Sequence, residues 1–184
     1  MAEELMRLSK RLSELGLASR READSWIEKG WVRVDGHVAE LGEKVTASQK
    51  IQISSKAKAL QGQQVTILLN KPIGYVSGQA EDGYEPARVL VTPENHWEED
   101  DSPKRFSRSQ LMHLVPAGRL DIDSVGLLVL TQDGRVAKTI IGENSAIDKE
   151  YIVRVAMMDG SAPDLSEEDL ALLNHGLSLD GKEL

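Results

Sequence analysis

The chain has 184 residues, of which 40% are hydrophobic and 28% are charged, a composition typical of a folded globular protein rather than a disordered one. It contains no cysteine, which excludes disulfides, thiol nucleophiles and cysteine-ligated zinc. The formal net charge of −8, taken as a sum, is unusual for a protein that binds nucleic acid.

The charge is distributed unevenly along the chain. Residues 1–60 hold 11 Lys and Arg against 9 Asp and Glu, whereas residues 61–184 hold 11 against 21. A basic first third within an acidic protein indicates two modules with different roles. The four histidines show no metal-ligand spacing, so we expect no metal. Because there is neither a secretory signal pattern nor an apolar run of membrane-spanning length, we expect a cytoplasmic protein without a membrane partner.

The first module, residues 1–55, is predicted as two helices followed by a small antiparallel sheet. Apolar residues at 8, 12 and 15 have helical spacing, and Gly16 is a typical helix stop. Ser19 and Glu22 form a capping pattern that predicts a second helix ending near Gly30. Residues 31–34 alternate as a strand does, Asp35-Gly36 indicates a tight turn, and residues 50–53 predict a further strand.

Basic residues on this module are candidates for RNA contact. Arg20 and Arg21 open the second predicted helix, where cations oppose the helix dipole and backbone N–H groups are free to meet an anion. Phosphate contact explains their position, whereas helix stability does not. A solvated basic face explains the charge equally well. The candidates are Arg7, Lys10, Arg11, Arg20, Arg21, Lys29 and Arg33.

Residues 56–64 are predicted as a linker, because the segment is polar and shows little periodicity. A flexible connection would let the first module bind one part of an RNA and raise the effective concentration of the second module nearby. A loop packed on either module is the alternative.

The second module, residues 65–184, begins with a near-continuous apolar run at 65–70, which predicts a strand buried on both faces. Residues 85–91 favour a short helix. The polar stretch at 92–110 is predicted as an exposed insertion. We interpret its basic half, with Lys104, Arg105 and Arg108, as a solvated surface. RNA contact is the alternative interpretation.

The segment from 113 to 134 is the most informative. Pro116 and Gly118 turn an incoming strand, and a second apolar strand over 127–130 ends at an Asp-Gly turn. Asp121 is therefore predicted in a loop held between two buried strands, a scaffold that fixes a polar group in a cleft. Taken alone, Gly-Arg-Leu-Asp favours a turn whose carboxylate caps backbone N–H groups. Arg119 is a candidate ion partner or RNA contact.

Three ordered motifs carry a resemblance to a known family. They are Leu-Asn-Lys-Pro-x-Gly at 69–74, Gly-Arg-Leu-Asp-x-x-Ser-x-Gly-Leu-Leu-x-Leu-Thr-x-Asp-Gly at 118–134, and Lys-Glu-Tyr at 149–151. The first module, with Ala-Ser-Arg-Arg-Glu-Ala between its helices and then Gly-Trp-Val-Arg-Val-Asp-Gly, is similar to the small RNA-binding domain named after a ribosomal small-subunit protein, the S4-like domain. Together these features resemble the bacterial ribosomal RNA pseudouridine synthases that carry an N-terminal S4-like domain.

The resemblance implies an α+β protein with a small RNA-binding domain followed by a mainly antiparallel synthase domain. It implies isomerisation of uridine to pseudouridine without a cofactor, with Asp121 as the catalytic aspartate. It also implies that Arg119 occupies the space vacated by the flipped nucleotide and that Tyr151 stacks on the uracil. Residues 149–155 alternate, so an ordinary strand aromatic in a core is the alternative for Tyr151.

The resemblance further implies ribosomal RNA as the partner. The residues of the motifs at 69–74 and 118–134 favour the branch of the family that acts on large-subunit RNA. Family members continue through further strands and an arginine-rich segment with a basic residue that faces the aspartate. That segment has no counterpart here, so we expect a fragment that binds RNA as a monomer with little or no turnover. A non-catalytic RNA-binding or ribosome-associated protein is the alternative function.

Overall fold

The computed structural model describes residues 4–154, 156, 165–175, 178–179 and 181–183. The chain divides into two compact units, Met1–Ile147 and Asp148–Leu184. Within the described ranges, no helix has both the length and the apolar character needed to cross a membrane.

The first unit begins with two helices and a small sheet. Its elements are β1 (Met6–Arg7), α1 (Leu8–Glu14), α2 (Arg20–Glu28), β2 (Val32–Val34), β3 (His37–Val38), β4 (Lys44–Val45) and β5 (Ile51–Ile53). β2 lies between β3 and β5, and β1 pairs with β4, all antiparallel. The Ser19 hydroxyl accepts the Glu22 N–H at the start of α2, as the capping pattern predicts. Asp35 and Gly36 both have positive φ, 48° and 92°, which confirms the tight turn.

One apolar core joins these elements. The apolar side chains of α1 and α2 pack against the inward face of β2, because the helical spacing and the strand alternation each bring their apolar residues to one side. The buried members are Leu8, Leu12, Ala18, Ala23, Trp26, Ile27, Val32, Val34, Ala39, Val45 and Ala57.

The segment predicted as a linker is helical. α3 (Ser55–Gln63) is capped by Ser54, whose hydroxyl accepts the Ala57 N–H. Ala57 is fully buried in the first core, and the Gln61 side chain donates to the Leu17 carbonyl. The structure therefore differs from the expected flexible connection, because one small buried residue and polar hydrogen bonds hold a helix that has no apolar stripe. The division into 1–55, 56–64 and 65–184 stays a prediction.

The rest of the first unit is built around a three-stranded antiparallel sheet. Its elements are β6 (Thr66–Lys71), β7 (Tyr75–Val76), β8 (Glu85–Pro86), β9 (Val115–Pro116), β10 (Gly126–Thr131) and α4 (Gly134–Ile141). β10 is the central strand, with β6 on one side and β9 on the other. β7 and β8 form a separate parallel pair. The Asp-Gly pair at 133–134, predicted as a turn, instead begins α4, with Asp133 as its N-cap.

The apolar run at 65–70 is buried on one face only, so the prediction of a strand buried on both faces is wrong. Ile67 and Leu69 of β6 contact the second core, whereas Leu68 is 69% exposed. The strands beside the Asp121 loop are also only partly buried, with Val115 and Leu127 exposed. Within the described part of this unit, the core covers one face of the sheet, and alternate side chains therefore face outward.

The insertion at 92–110 is mostly exposed, as predicted, and contains 3-10 turns at Pro93–Asn95 and Arg108–Leu111. The helix expected at 85–91 is β8 followed by a 3-10 turn at Ala87–Leu90. Gln132, just after β10, donates to the carbonyls of Ser109 and Met112. Lys104 donates to the Gln64 carbonyl after α3. The insertion is therefore anchored at both of these points.

The second unit contains α5 (Glu167–Asn174) and a hairpin of β11 (Ser178–Leu179) and β12 (Lys182–Glu183). Ser166 and Asp169 cap α5 reciprocally. Residues 149–154 form no strand, contrary to the alternation, and Val155 lies outside the described residues. Alternation alone does not make a strand, because a strand also requires a neighbour for its backbone groups.

Candidate active site

Asp121 lies in the loop that joins β9 to β10. One end of this loop is fixed by the pairing of β9 with β10, where Pro116 lies opposite Leu130, and the other end by the pairing of Gly126 with Lys71 of β6. Gly118 has a φ of +110°, a conformation that residues with a side chain rarely adopt, and this allows the chain to turn as it leaves β9.

Leu120 anchors the loop. Its side chain packs against the second core. Its backbone N–H donates to the Ser77 hydroxyl over 2.8 Å, and the same hydroxyl donates to its carbonyl over 2.7 Å. The residues on either side, Arg119 and Asp121, are both exposed. One inward-facing, hydrogen-bonded residue therefore holds two outward-facing charged residues in place.

Lys71, the last residue of β6, holds the other side of the loop. Its side chain is fully buried (0% exposed), and Nζ donates to the carbonyls of Pro72 and Tyr75 over 3.0 Å each. Nζ also reaches the Ile122 carbonyl at 3.5 Å, and the Gly74 N–H donates to that carbonyl over 2.8 Å. The motif at 69–74 is thus the support of the Asp121 loop. Lys71 was not among the predicted site residues, although a lysine at the end of an apolar strand was a signal for such a role.

The charge that interacts with Asp121 comes from Lys71. Burial lowers the pKa of Lys71, and the carboxylates of Asp123 and Asp121 act in the opposite direction. Arg119, the cation predicted as a candidate partner, forms no ion pair with Asp121. The charge of Lys71, rather than that of Arg119, therefore acts on Asp121 electrostatically, although Lys71 and Asp121 form no ion pair.

The Asp121 carboxylate has no structural partner among the described residues. A capping carboxylate would accept a backbone N–H, but here the Asp121 backbone carbonyl accepts the Ser124 N–H over 3.1 Å and closes the turn. The side chain is exposed and forms neither a hydrogen bond nor an ion pair within the described part of the chain. It is consequently available to a ligand.

A cavity of about 580 Å³ lies beside the loop. Residues 78–81 line one part of it, and Arg119 lines another together with Pro116, Gly118 and Ile141. Asp121 is not among the lining residues. Ser77 directly precedes the segment 78–81 and Leu120 directly follows Arg119, so the Ser77–Leu120 hydrogen bonds connect two walls of the cavity at the residue before Asp121.

The predicted RNA-binding residues differ in how much of their hydrogen-bonding capacity is already used. Lys10 forms an ion pair with Glu14 at 3.6 Å. Arg11 and Arg33 donate to the backbone carbonyls of Ala47 and Gly36, and the Lys29 ammonium lies 4.9 Å from the centre of the Trp31 ring.

Among the described contacts, no side-chain hydrogen bond or ion pair involves Arg7, Arg20 or Arg21, and all three are exposed. These three remain the strongest candidates.

Tyr151 belongs to the second unit, where its side chain is 62% exposed. The alternative interpretation, a strand aromatic packed in a core, therefore does not hold within that unit. Among the residues that the structure describes, there is also no group of three or more His, Asp or Glu that could hold a metal ion.

Comparison of the sequence with known families identifies the class of protein. Residues 65–182 match the family of RNA pseudouridylate synthases, and residues 6–51 match the S4 domain. Because the first match covers more than half of the chain, the protein belongs to the RNA pseudouridylate synthase family. The family and the α+β fold class predicted from the three motifs are thereby confirmed.

Curated relatives give the same result. The chain is 35% identical over 175 residues to ribosomal large subunit pseudouridine synthase B of Bacillus subtilis, covering 95% of this chain and 63% of the relative. It is 37% identical over 151 residues to a dual-specificity RNA pseudouridine synthase of Salmonella typhi, covering 81% and 46%. It is 34% identical over 169 residues to an uncharacterized RNA pseudouridine synthase of Aquifex aeolicus, covering 91% and 63%. The chain spans less than two thirds of the length of these relatives.

Proposed function

We propose that the protein isomerises uridine to pseudouridine in large-subunit ribosomal RNA, with Asp121 as the nucleophile. One observation carries this proposal: the Asp121 carboxylate is exposed and without a structural partner in the described residues, on a loop that Leu120 and Lys71 fix. Groups held in place without a structural role of their own are typical of catalytic sites. The name of the Bacillus subtilis relative supports the large-subunit assignment.

The proposed reaction needs only the atoms of its substrate. The bond between uracil N1 and ribose C1′ breaks, a bond between uracil C5 and C1′ forms, and N1 gains a proton while C5 loses one. A carboxylate suits this reaction because it can attack the sugar or the base and leave again, or abstract the C5 proton after the base has turned. The positive charge of the buried Lys71 attracts the ionised carboxylate that each of these steps requires. No cofactor is needed.

A uridine within folded RNA must leave its stack to reach Asp121. We propose that Arg119, which is exposed on a cavity wall, occupies the space that the nucleotide vacates. Tyr151 would stack on the flipped uracil, since a ring face tolerates rotation of the base better than a set of hydrogen bonds does. The exposed, unpaired arginines of the S4-like domain would bind phosphates, and the protein would act as a cytoplasmic monomer.

The test is Asp121→Asn, with Asp123→Asn as the matched control because it removes the same charge two residues away. In the protein as its gene encodes it, we expect Asp121→Asn to reduce pseudouridine formation in ribosomal RNA by about a thousandfold or more. RNA affinity should stay within about twofold, since one neutralised carboxylate adds no repulsion. Asp123→Asn should retain most activity.

Two results would contradict the proposal. Equal activity of wild type and Asp121→Asn would remove Asp121 from the mechanism. RNA binding by the wild type without any pseudouridine formation would identify the non-catalytic RNA-binding protein instead.

A further inference from the structure

We propose that Ser77 is a positioning residue for Asp121, a role that rests on the proposed function. The Ser77 hydroxyl bonds both backbone groups of Leu120, the residue immediately before the nucleophile. It would control where the carboxylate stands without touching the substrate.

The chemistry of a hydroxyl explains why a serine suits this position. A single hydroxyl oxygen can donate one hydrogen bond and accept another, so it satisfies the N–H and the carbonyl of the same residue. The distances are 2.8 Å and 2.7 Å, and Ser77 is only 5% exposed, so water has little access to replace either bond. Because the Leu120 side chain also packs in the second core, three attachments fix this residue. The peptide that follows, which carries Asp121, has correspondingly little freedom.

The location of the Ser77–Leu120 hydrogen bonds indicates that they affect the reaction rate and not only folding. Segment 78–81 follows Ser77, and Arg119 precedes Leu120, and both line the cavity. The loop has separate attachments on its far side, where Lys71 and Gly74 bond the Ile122 carbonyl. Without the Ser77 hydroxyl, the loop therefore stays folded, but the hydrogen bonds that hold Leu120, between Arg119 on the cavity wall and Asp121, are lost. Displacement of a reacting group by about 1 Å can cost about a hundredfold in rate.

The kinetic test compares Ser77→Ala with Ser77→Thr, which keeps a hydroxyl. Ser54→Ala is the matched control, because Ser54 also accepts a backbone N–H but lies at the start of α3, outside the loop. Single-turnover rates and half-saturating protein concentrations are measured on ribosomal RNA with the protein as its gene encodes it. We expect Ser77→Ala to lower the rate about 10- to 100-fold with unchanged half-saturation, Ser77→Thr to recover most of the rate, and Ser54→Ala to match wild type.

Three kinetic results would overturn the proposal: a Ser77→Ala rate within about twofold of wild type, a loss confined to half-saturation, or equal losses in Ser77→Ala and Ser77→Thr. Amide hydrogen exchange supplies a readout that does not depend on catalysis. Ser77→Ala should speed exchange of the Leu120 amide by about tenfold or more and leave the α1 amides unchanged. If the wild type forms no pseudouridine, the proposed function fails, whereas the Leu120 exchange still decides the role of Ser77. Unchanged exchange would overturn it.

Discussion

Gly134 lies so close to Ser19 that a Cβ atom on Gly134 would be 2.5 Å from the Ser19 Cβ and 2.7 Å from its Oγ. Ser19 caps α2 in the S4-like domain, and Gly134 is the first residue of α4 after the central strand of the synthase sheet. The N-terminal ends of two helices are therefore in contact. Both ends carry partial positive charge, and each has a carboxylate beside it, Glu22 in the first turn of α2 and Asp133 as the N-cap of α4.

Gly134→Ala should destabilise the protein because the added methyl group meets the Ser19 Cβ, which is attached to the backbone and cannot rotate away. We expect a loss of about 1–3 kcal/mol in the free energy of unfolding, measured by urea denaturation. Gly62→Ala in α3 is the control, since a Cβ there meets nothing within 4 Å. It should be neutral or stabilising by up to about 1 kcal/mol.

The double variant Ser19→Gly/Gly134→Ala distinguishes a clash from a backbone effect. Ser19→Gly removes both atoms that the new methyl group would meet, and glycine at an N-cap costs only a few tenths of a kcal/mol. Stability should therefore return close to that of Ser19→Gly alone. If Gly134→Ala is as stable as wild type, the S4-like domain and α4 do not pack as closely as the structure has them.

Replacement of Lys71 by Met should destabilise the protein even though a buried charge is removed. The carbonyls of Pro72 and Tyr75 lose their donor, whereas the Ile122 carbonyl keeps the Gly74 N–H, and unsatisfied carbonyls away from water cost about 1–3 kcal/mol. Urea denaturation at about pH 7.5 measures the loss. Lys56→Met, on the exposed surface of α3, should change stability by less than about 0.5 kcal/mol.

The same lysine gives a pH dependence of known sign. Burial lowers the pKa of Lys71 in the folded protein below its ordinary value of 10.5. Between those two pKa values the unfolded chain binds more protons, so this group makes the free energy of unfolding rise with pH. The stability difference between wild type and Lys71→Met should therefore grow from about pH 7.5 to about pH 10. A constant difference would show that the ammonium is not held in a low-dielectric environment.

The interaction of Asp133 with Arg135 should stabilise the folded protein at neutral pH and lose this effect in acid. Burial raises the pKa of Asp133, but the hydrogen bonds and the charge of Arg135 lower it by more, so the net pKa lies below 3.8. This contribution is complete above the unfolded pKa of 3.8 and is lost as pH falls through the lower folded value. Asp133→Asn should cost about 1–3 kcal/mol at pH 7, and the difference from wild type should shrink below pH 3.8. Asp101→Asn, in the exposed insertion, should show no such trend.

Features of the fold that depend on neighbouring residues could be predicted from the sequence. Ser19 caps α2 and Asp35-Gly36 forms a turn because each needs only a local side chain or a local backbone freedom. The position of Asp121 in a loop could also be predicted, because Pro116 and Gly118 are turn-forming residues close to it in the sequence.

Features that depend on distant partners could not be predicted. α3 has no apolar stripe, and its stability comes from the burial of Ala57 and from the hydrogen bonds of Gln61 and Gln64 to Glu22. The hydrogen bonds that support the Asp121 loop join Ser77 to Leu120, 43 positions further along the chain, and no spacing rule links the two. Tertiary packing, rather than local pattern, decides such features.

The unpaired arginines at the start of α2 should bind phosphate. Arg20→Gln and Arg21→Gln should each weaken RNA binding similarly across RNA sequences and lower the slope of log affinity against log salt by about 0.7–0.9 for each phosphate that the variant no longer neutralises. Lys10→Gln, at a residue already paired with Glu14, should have a smaller effect, and Lys58→Gln on α3 serves as the exposed control outside the S4-like domain. Filter binding over a range of salt concentrations measures both quantities. An unchanged salt slope in both arginine variants would mean that this end of α2 is a solvated basic face.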